Sequence, residues 1–193
     1  LVDHQQWQEL VVHQVGLGVT NAADAERLVE LGVDAIGVNF WSGSPRHVSS
    51  TDAGWLKALE GRILRVGVFV NAPTELQISL VREGLLDLVQ LHGDETPADA
   101  AELREAGIPF IKALGVKTHA DLDRVENFRA AAVLLDAHAP GIYGGTGETF
   151  DWNTALDFKS EHPQLPLILA GGIKAENAAS AVEMLHPSAL DVA

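Results

Sequence analysis

The carboxylate best placed to do chemistry in this sequence is Asp136. An apolar run, Val133–Leu135, delivers it to what reads as the exit of a buried strand. Glycines crowd the stretch that follows, from Gly141 to Gly147 and including Gly144 and Gly145, before Phe150-Asp151-Trp152 begins a helix. A lone acid beneath a flexible loop suits general-acid chemistry under a lid. A turn-forming or capping aspartate would sit in the same kind of place, so the catalytic reading leans on the glycine-rich loop beside it. Gly171-Gly172 falls between a strand and a helix. Bare N–H groups at a helix N-terminus bind phosphate, although a tight turn calls for the same dipeptide. Arg46, within Ser44-Pro45-Arg46, can grip a carboxylate through two parallel hydrogen bonds, or it is a solvated surface arginine. Gln90 and His92 share one face of a strand because side chains alternate. They could hydrogen-bond a polar substrate, or His92 could be tied to a neighbouring loop. No pair of histidines has metal-ligand spacing with a carboxylate, so no metal is expected.

Composition narrows the classes that these groups could serve. At 193 residues the chain reads as a single domain over 1–193, with residues 1–10 as a polar, aromatic N-terminal extension. Hydrophobic residues make up 47%, enough for a sizeable core. The net charge of −14 argues against a nucleic-acid or anionic-membrane partner while allowing a local cationic pocket. Cysteine is absent, which excludes disulfides and thiolate metal sites. The first residues do not run from a basic segment into an apolar one, and no apolar run reaches the roughly 18 residues of a membrane span. A soluble, cytoplasmic protein is expected.

The elements that must position these residues alternate. Strands are expected at Leu10–Val12 with Val15–Val19, Asp34–Phe40, Leu64–Val70, Leu86–Leu91, Pro109–Leu114, Ala131–Asp136, Pro166–Ala170 and Ala189–Val192. Helices are expected over Ala22–Leu31, from Thr51 as cap to Leu59, from Pro73-Thr74 to Glu83, over Ala98–Ala106, Thr118–Phe128, Asp151–Ser160 and Ala175–Leu185. Thr96-Pro97 before Ala98 and Gly107 after Ala106 follow the known asymmetry of helix ends. Alternation with a period of about 20 to 30 residues predicts a parallel sheet with helical crossovers, and eight strands predict a closed (β/α)₈ TIM barrel. An open doubly wound sheet is the alternative. It would normally carry a dinucleotide fingerprint after its first strand, where Gly16-Leu17-Gly18 supplies only two of the glycines. In a barrel the chemistry sits at the carboxyl ends of the strands. Those ends are Leu17-Gly18, Asn39, Asn71, Gln90 with His92, Lys112, Asp136 and Gly171-Gly172, more polar than burial alone would select.

Taken together these segments resemble the phosphoribosylanthranilate isomerase family. The matching blocks include Gly18-Val19-Thr20-Asn21, Asp34 to Phe40 with Ser44-Pro45-Arg46, and Val66 to Asn71. They continue through Val89-Gln90-Leu91-His92-Gly93-Asp94-Glu95, Ile111-Lys112-Ala113 and Leu134-Leu135-Asp136, then Gly144-Gly145-Thr146-Gly147 with Phe150-Asp151-Trp152, and Leu169 to Gly172 with Glu176-Asn177. The resemblance implies a (β/α)₈ barrel, no cofactor, and an Amadori rearrangement of N-(5-phosphoribosyl)anthranilate in tryptophan biosynthesis. It implies Asp136 as the general acid, Arg46 on the anthranilate carboxylate, and Gly171 and Gly172 on the phosphate. Gln90, His92, Gly144 and Gly145 complete the expected substrate site. The expected partner is a small phosphoribosyl substrate, with the protein a monomer or homodimer. The sequence departs from the family at two places. Val15, Gly16 and Leu17 stand where the family has Lys, Ile and the Cys that acts as general base, and leucine cannot take a proton. The family pattern also continues past Asp191-Val192, so the eighth helix and half of the phosphate cradle are expected outside these residues. His92 and His138 are the candidate substitutes for the base. A barrel that binds a phosphosugar without turning it over is the second reading. A related sugar-phosphate isomerase or aldolase using Lys112 as its amine is the third.

Overall fold

The protein is described from a computed structural model covering residues 13–116, 119–122, 125–137 and 152–192. Eight parallel strands close into a barrel in sequence order: β1 (His13–Leu17), β2 (Ala35–Asn39), β3 (Leu64–Phe69), β4 (Leu88–Leu91), β5 (Phe110–Val116), β6 (Ala132–Ala137), β7 (Leu167–Leu169) and β8 (Ala189–Val192). The ring closes where β8 pairs with β1, His13 opposite Ala189 through Gly16 opposite Val192. Closure rules out the open sheet.

Helices return the chain outside the ring: α1 (Ala22–Glu30), α2 (Thr74–Arg82), α3 (Pro97–Glu105), α4 (Val125–Phe128), α5 (Trp152–Glu161) and α6 (Ala175–Leu185). Their starts are chemically marked. Asn21 accepts from the Asp24 N–H ahead of α1. Thr96 and Asp99 form a reciprocal capping box at α3, with Pro97 at its first position. Two expected helices differ from the observed ones. The segment Ser50–Leu59 winds as a 3₁₀ helix and is capped by Ser49, which accepts from the Thr51 N–H, rather than by Thr51 itself. Between β5 and β6 a 3₁₀ turn, His119–Leu122, and the single turn α4 stand where one helix over Thr118–Phe128 was expected. The described part of the first strand, His13–Leu17, ends before Gly18, whose φ of +85° breaks the extended run; Leu10–Val12 and the expected extension over 1–10 lie outside the described residues.

The core has an inner and an outer layer. Ala35, Val66, Leu88, Ile111, Ala113, Ala132, Leu134, Ile168, Ala170 and Ala189 fill the lumen, small and branched side chains alternating so that the barrel is solid. Outside it, β2 to β5 pack on α1 to α3 around Ile36, Leu56, Phe69 and Leu103. The later strands pack on α5 and α6 around Leu135, Phe158 and Leu185. At the start of β3 a charge is buried in this outer layer. Arg65 makes a two-pronged pair with Asp87 (2.9 and 2.8 Å) and donates to the Leu56 and Gly84 carbonyls. That satisfied network pins the bottom of the barrel, opposite the strand ends that carry the candidate site. Among the described residues no helix is long and apolar enough to cross a membrane.

Candidate active site

Which strand-end residues enter the lumen follows from the period of two along each strand. On β6, Ala132 and Leu134 lie in the inner cluster while Val133 and Leu135 face the helices, so Asp136 continues the inward series. On β4, Leu88 is inward and Gln90 follows it. On β8, Ala189 is inward, Leu190 outward, and Asp191 inward again. Asp136 and Asp191 are both buried, each 6% exposed.

His92 stands between Gln90 and Asp136. Its backbone N–H donates to the Phe69 carbonyl, which carries it just past β4. The Gln90 amide nitrogen lies 2.8 Å from His92 Nδ1. An amide nitrogen can only donate, so Nδ1 accepts, and a neutral ring then holds its proton on Nε2. That nitrogen faces Asp136 Oδ2 at 3.6 Å, an electrostatic contact rather than a hydrogen bond. The three residues thus form a line from the lumen to the mouth: a buried amide, an oriented imidazole and a carboxylate.

The loop that holds His92 is fixed from below. Lys112 sits between the inward Ile111 and Ala113 and so points out of the barrel. Its ammonium donates to Glu95 Oε2 (2.8 Å) and to the carbonyls of Gly93 (2.7 Å) and Leu91 (3.3 Å). Glu95 in turn accepts the N–H groups of Asn71 and Gly93, and Asn71 Oδ1 accepts that of Asp94. Asn71 holds a left-handed φ of +51°, and a side chain at Gly93 would collide with it. Lys112 is therefore committed to a buried ion pair facing away from the lumen, and the aldolase-like reading loses its amine. Asn39 is likewise structural: its side chain accepts the Trp41 N–H and its carbonyl the Val48 N–H.

Arg46 lies in the loop after β2 with its backbone N–H on Ser44 Oγ. Its exposed side chain passes over Gly18 so closely that an added Cβ there would lie 2.5 Å from Arg46 Cδ. The Arg46 charge is felt at Asp191. Burial pushes the Asp191 carboxyl well above the usual carboxylate range, the neighbouring Asp136 charge pushes it further, and Arg46 opposes both. Asp191 Oδ1 is buried with no hydrogen-bond partner among the described residues. Gly171 and Gly172 follow β7 with φ of +74° and +70°, a turn that favours glycine at both positions. Asn177 closes this turn onto α6, accepting the Lys174 N–H and donating to the Gly172 carbonyl.

The fold therefore brings Gln90, His92 and Asp136 together, sets Arg46 within electrostatic reach of the same mouth, and opens α6 with Gly171-Gly172. Gly144, Gly145, the rest of the expected lid, and His138 lie outside the described residues. The backbone of Leu17 pairs with Gly37 at the mouth end of β1. Asp191, a buried inward-facing carboxyl at the same mouth, is the candidate that sequence reasoning passed over.

Residues 16–193 match the family described as N-(5'-phosphoribosyl)anthranilate (PRA) isomerase. The chain is 46% identical over 178 residues to the N-(5'-phosphoribosyl)anthranilate isomerase of Geobacter sulfurreducens, covering 91% of this chain and 84% of that protein. It is similar to the crystal structure of phosphoribosyl anthranilate isomerase from Thermotoga maritima, with a TM-score of 0.82 and 38% identity over 94% of this chain and 87% of that one. A further solved isomerase, in complex with reduced 1-(o-carboxyphenylamino)-1-deoxyribulose 5-phosphate, superposes with a TM-score of 0.79 at 36% identity, covering 94% of this chain and 87% of that chain.

Proposed function

The chain belongs to the phosphoribosylanthranilate isomerase family, and we propose that Asp136, Arg46 and the Gly171-Gly172 turn divide the work of its reaction. It is an isomerase of tryptophan biosynthesis. The reaction is the Amadori rearrangement of N-(5-phosphoribosyl)anthranilate to 1-(2-carboxyphenylamino)-1-deoxyribulose 5-phosphate. Asp136 protonates the ribose ring oxygen as the C1–O bond breaks, and the anilinic nitrogen supplies the electron pair for a C1=N bond. Loss of the C2 proton then gives an aminoenol that becomes the ketone. Arg46 holds the anthranilate carboxylate with its planar fork of donors. Gly171 and Gly172 receive the phosphate on backbone N–H groups ahead of α6. Gln90 fixes the imidazole of His92, and His92 holds the Asp136 carboxylate beside the substrate. Gly144 and Gly145 stay in this proposal as expected substrate-binding residues.

The observation that carries the assignment is a buried carboxylate on the lumen face of β6, 3.6 Å from an oriented imidazole. Asp136→Asn should lower kcat by about 10²–10⁴-fold, the usual worth of a positioned acid, measured as decay of substrate fluorescence. A variant within about threefold of the parent would remove Asp136 from the chemistry. Nothing in the fold or in the relatives favours a barrel that binds without turnover. A monomer or a homodimer would serve equally. A related Thermotoga maritima structure is described as monomers generated from a dimeric isomerase. The cytoplasm is the expected location, since the substrate is a phosphorylated biosynthetic intermediate.

A further inference from the structure

We propose that Asp191 accepts the C2 proton in this chain, beside Asp136 at the barrel mouth. The inference rests on the isomerase reading. That reaction needs one group to give a proton to the ring oxygen and another to take one from carbon. Leu17, at the mouth end of β1, offers no lone pair. His92 has its Nδ1 occupied by the Gln90 amide, and in the neutral ring Nε2 already carries the proton. Asp136 is spent as the donor. Asp191 is the remaining inward-facing carboxyl among the described residues, on the strand that pairs directly with β1, where Val15 is its register partner. It is 6% exposed, and its Oδ1 lacks a partner among those residues. A buried acceptor left empty is costly and rare, and a proton arriving from substrate would fill it.

The balance of the reaction suits two carboxyls. Asp136 passes a proton to the ring oxygen as the C1–O bond breaks, the bonding pair stays on oxygen, and the nitrogen lone pair forms C1=N. Once Asp136 has given up its proton, its charge adds to burial in raising the proton affinity of Asp191, at the moment a base is needed. Asp191 takes the C2 proton. The C–H electron pair becomes C1=C2, and the C1=N electrons return to nitrogen. Asp191 returns its proton to C1 of the aminoenol and the hydroxyl proton goes to Asp136 as the ketone forms, so both carboxyls end as they began. Among the described residues, the charged and titratable groups facing Asp191 are Asp136 from β6 and Arg46 from the loop after β2, with His92 behind Asp136.

The parent, Asp191→Asn, Asp191→Glu and the double variant Leu17→Cys with Asp191→Asn are compared by substrate fluorescence decay across substrate concentrations. Asp191→Asn should lower kcat by about 10²–10⁴-fold and move KM by no more than about threefold. Asp191→Glu, which keeps a carboxyl, should fall between it and the parent. Adding Leu17→Cys should return at least about tenfold of the lost kcat, because a thiolate can take the same proton. Asp191→Ser serves as a second neutral substitution should the amide variant fail to fold. A neutral variant with near-parental kcat, or a double variant no faster than the single one, overturns the assignment. An inactive parent would instead sink the isomerase reading itself.

Discussion

A carboxyl shut off from water binds its proton more tightly in the folded protein than in the unfolded chain. Asp191 is such a group, raised first by burial and then by the charge of Asp136. With the folded value above the unfolded one, its favourable contribution is complete below about pH 4, where an unfolded aspartate titrates. The contribution is lost as pH rises through the folded value, because the unfolded state there binds fewer protons. Asp191→Asn should therefore melt higher than the parent at pH 8, and the advantage should vanish as pH falls below the ordinary carboxylate range. Thermal melts across pH check this. A gain that stayed constant with pH would mean that packing, not ionisation, separates the two proteins. Not every polar strand end was legible in this way. Asp136 stood out because an apolar run delivers it. Asn39, Asn71 and Lys112 looked equally suited to a substrate, yet they hold loops through contacts with residues 9 to 24 positions away or with backbone nearby, which no local pattern encodes. Asp191 is the reverse case: four residues of strand are too few for alternation to announce which side faces in.

Elements here are held by specific clamps as much as by apolar faces. The β4–α3 loop hangs on the buried Lys112–Glu95 pair, and both side chains are 3% exposed. Glu95→Gln leaves the ammonium without its counter-charge, which typically costs about 3–5 kcal/mol. For a domain of this size that is roughly 10 °C in Tm by calorimetry. The same loop sets His92 beside Asp136, so kcat/KM should fall alongside Tm. A stable Glu95→Gln protein with unchanged kcat/KM would break the link between clamp and site. Helix starts were the most readable elements, since Asn21 and the Thr96–Asp99 box act on neighbours three residues away. The 3₁₀ winding of Ser50–Leu59 was not readable. Its geometry follows from how Ala53, Leu56 and Leu59 seat against the outer layer.

At the scale of the whole molecule, alternation and strand count were enough to predict a closed ring. They were enough because each crossover buries one face on the sheet and the right-handed twist carries the strands round. What the count could not supply was register, which is fixed by the lumen side chains meeting at the axis. Register is what sets Gln90 under His92 and Asp191 beside the first strand.

The seam between β8 and β1 gives this ring a temporal consequence. Asp136, His92 and Arg46 can be organised by intermediate parts of the chain, but Asp191 meets them only after the two most distant stretches of sequence have zipped together. Contacts of such long span are slow to form. After a jump out of denaturant, helical ellipticity should recover first and turnover should lag behind it, the delay being the time the seam takes to shut.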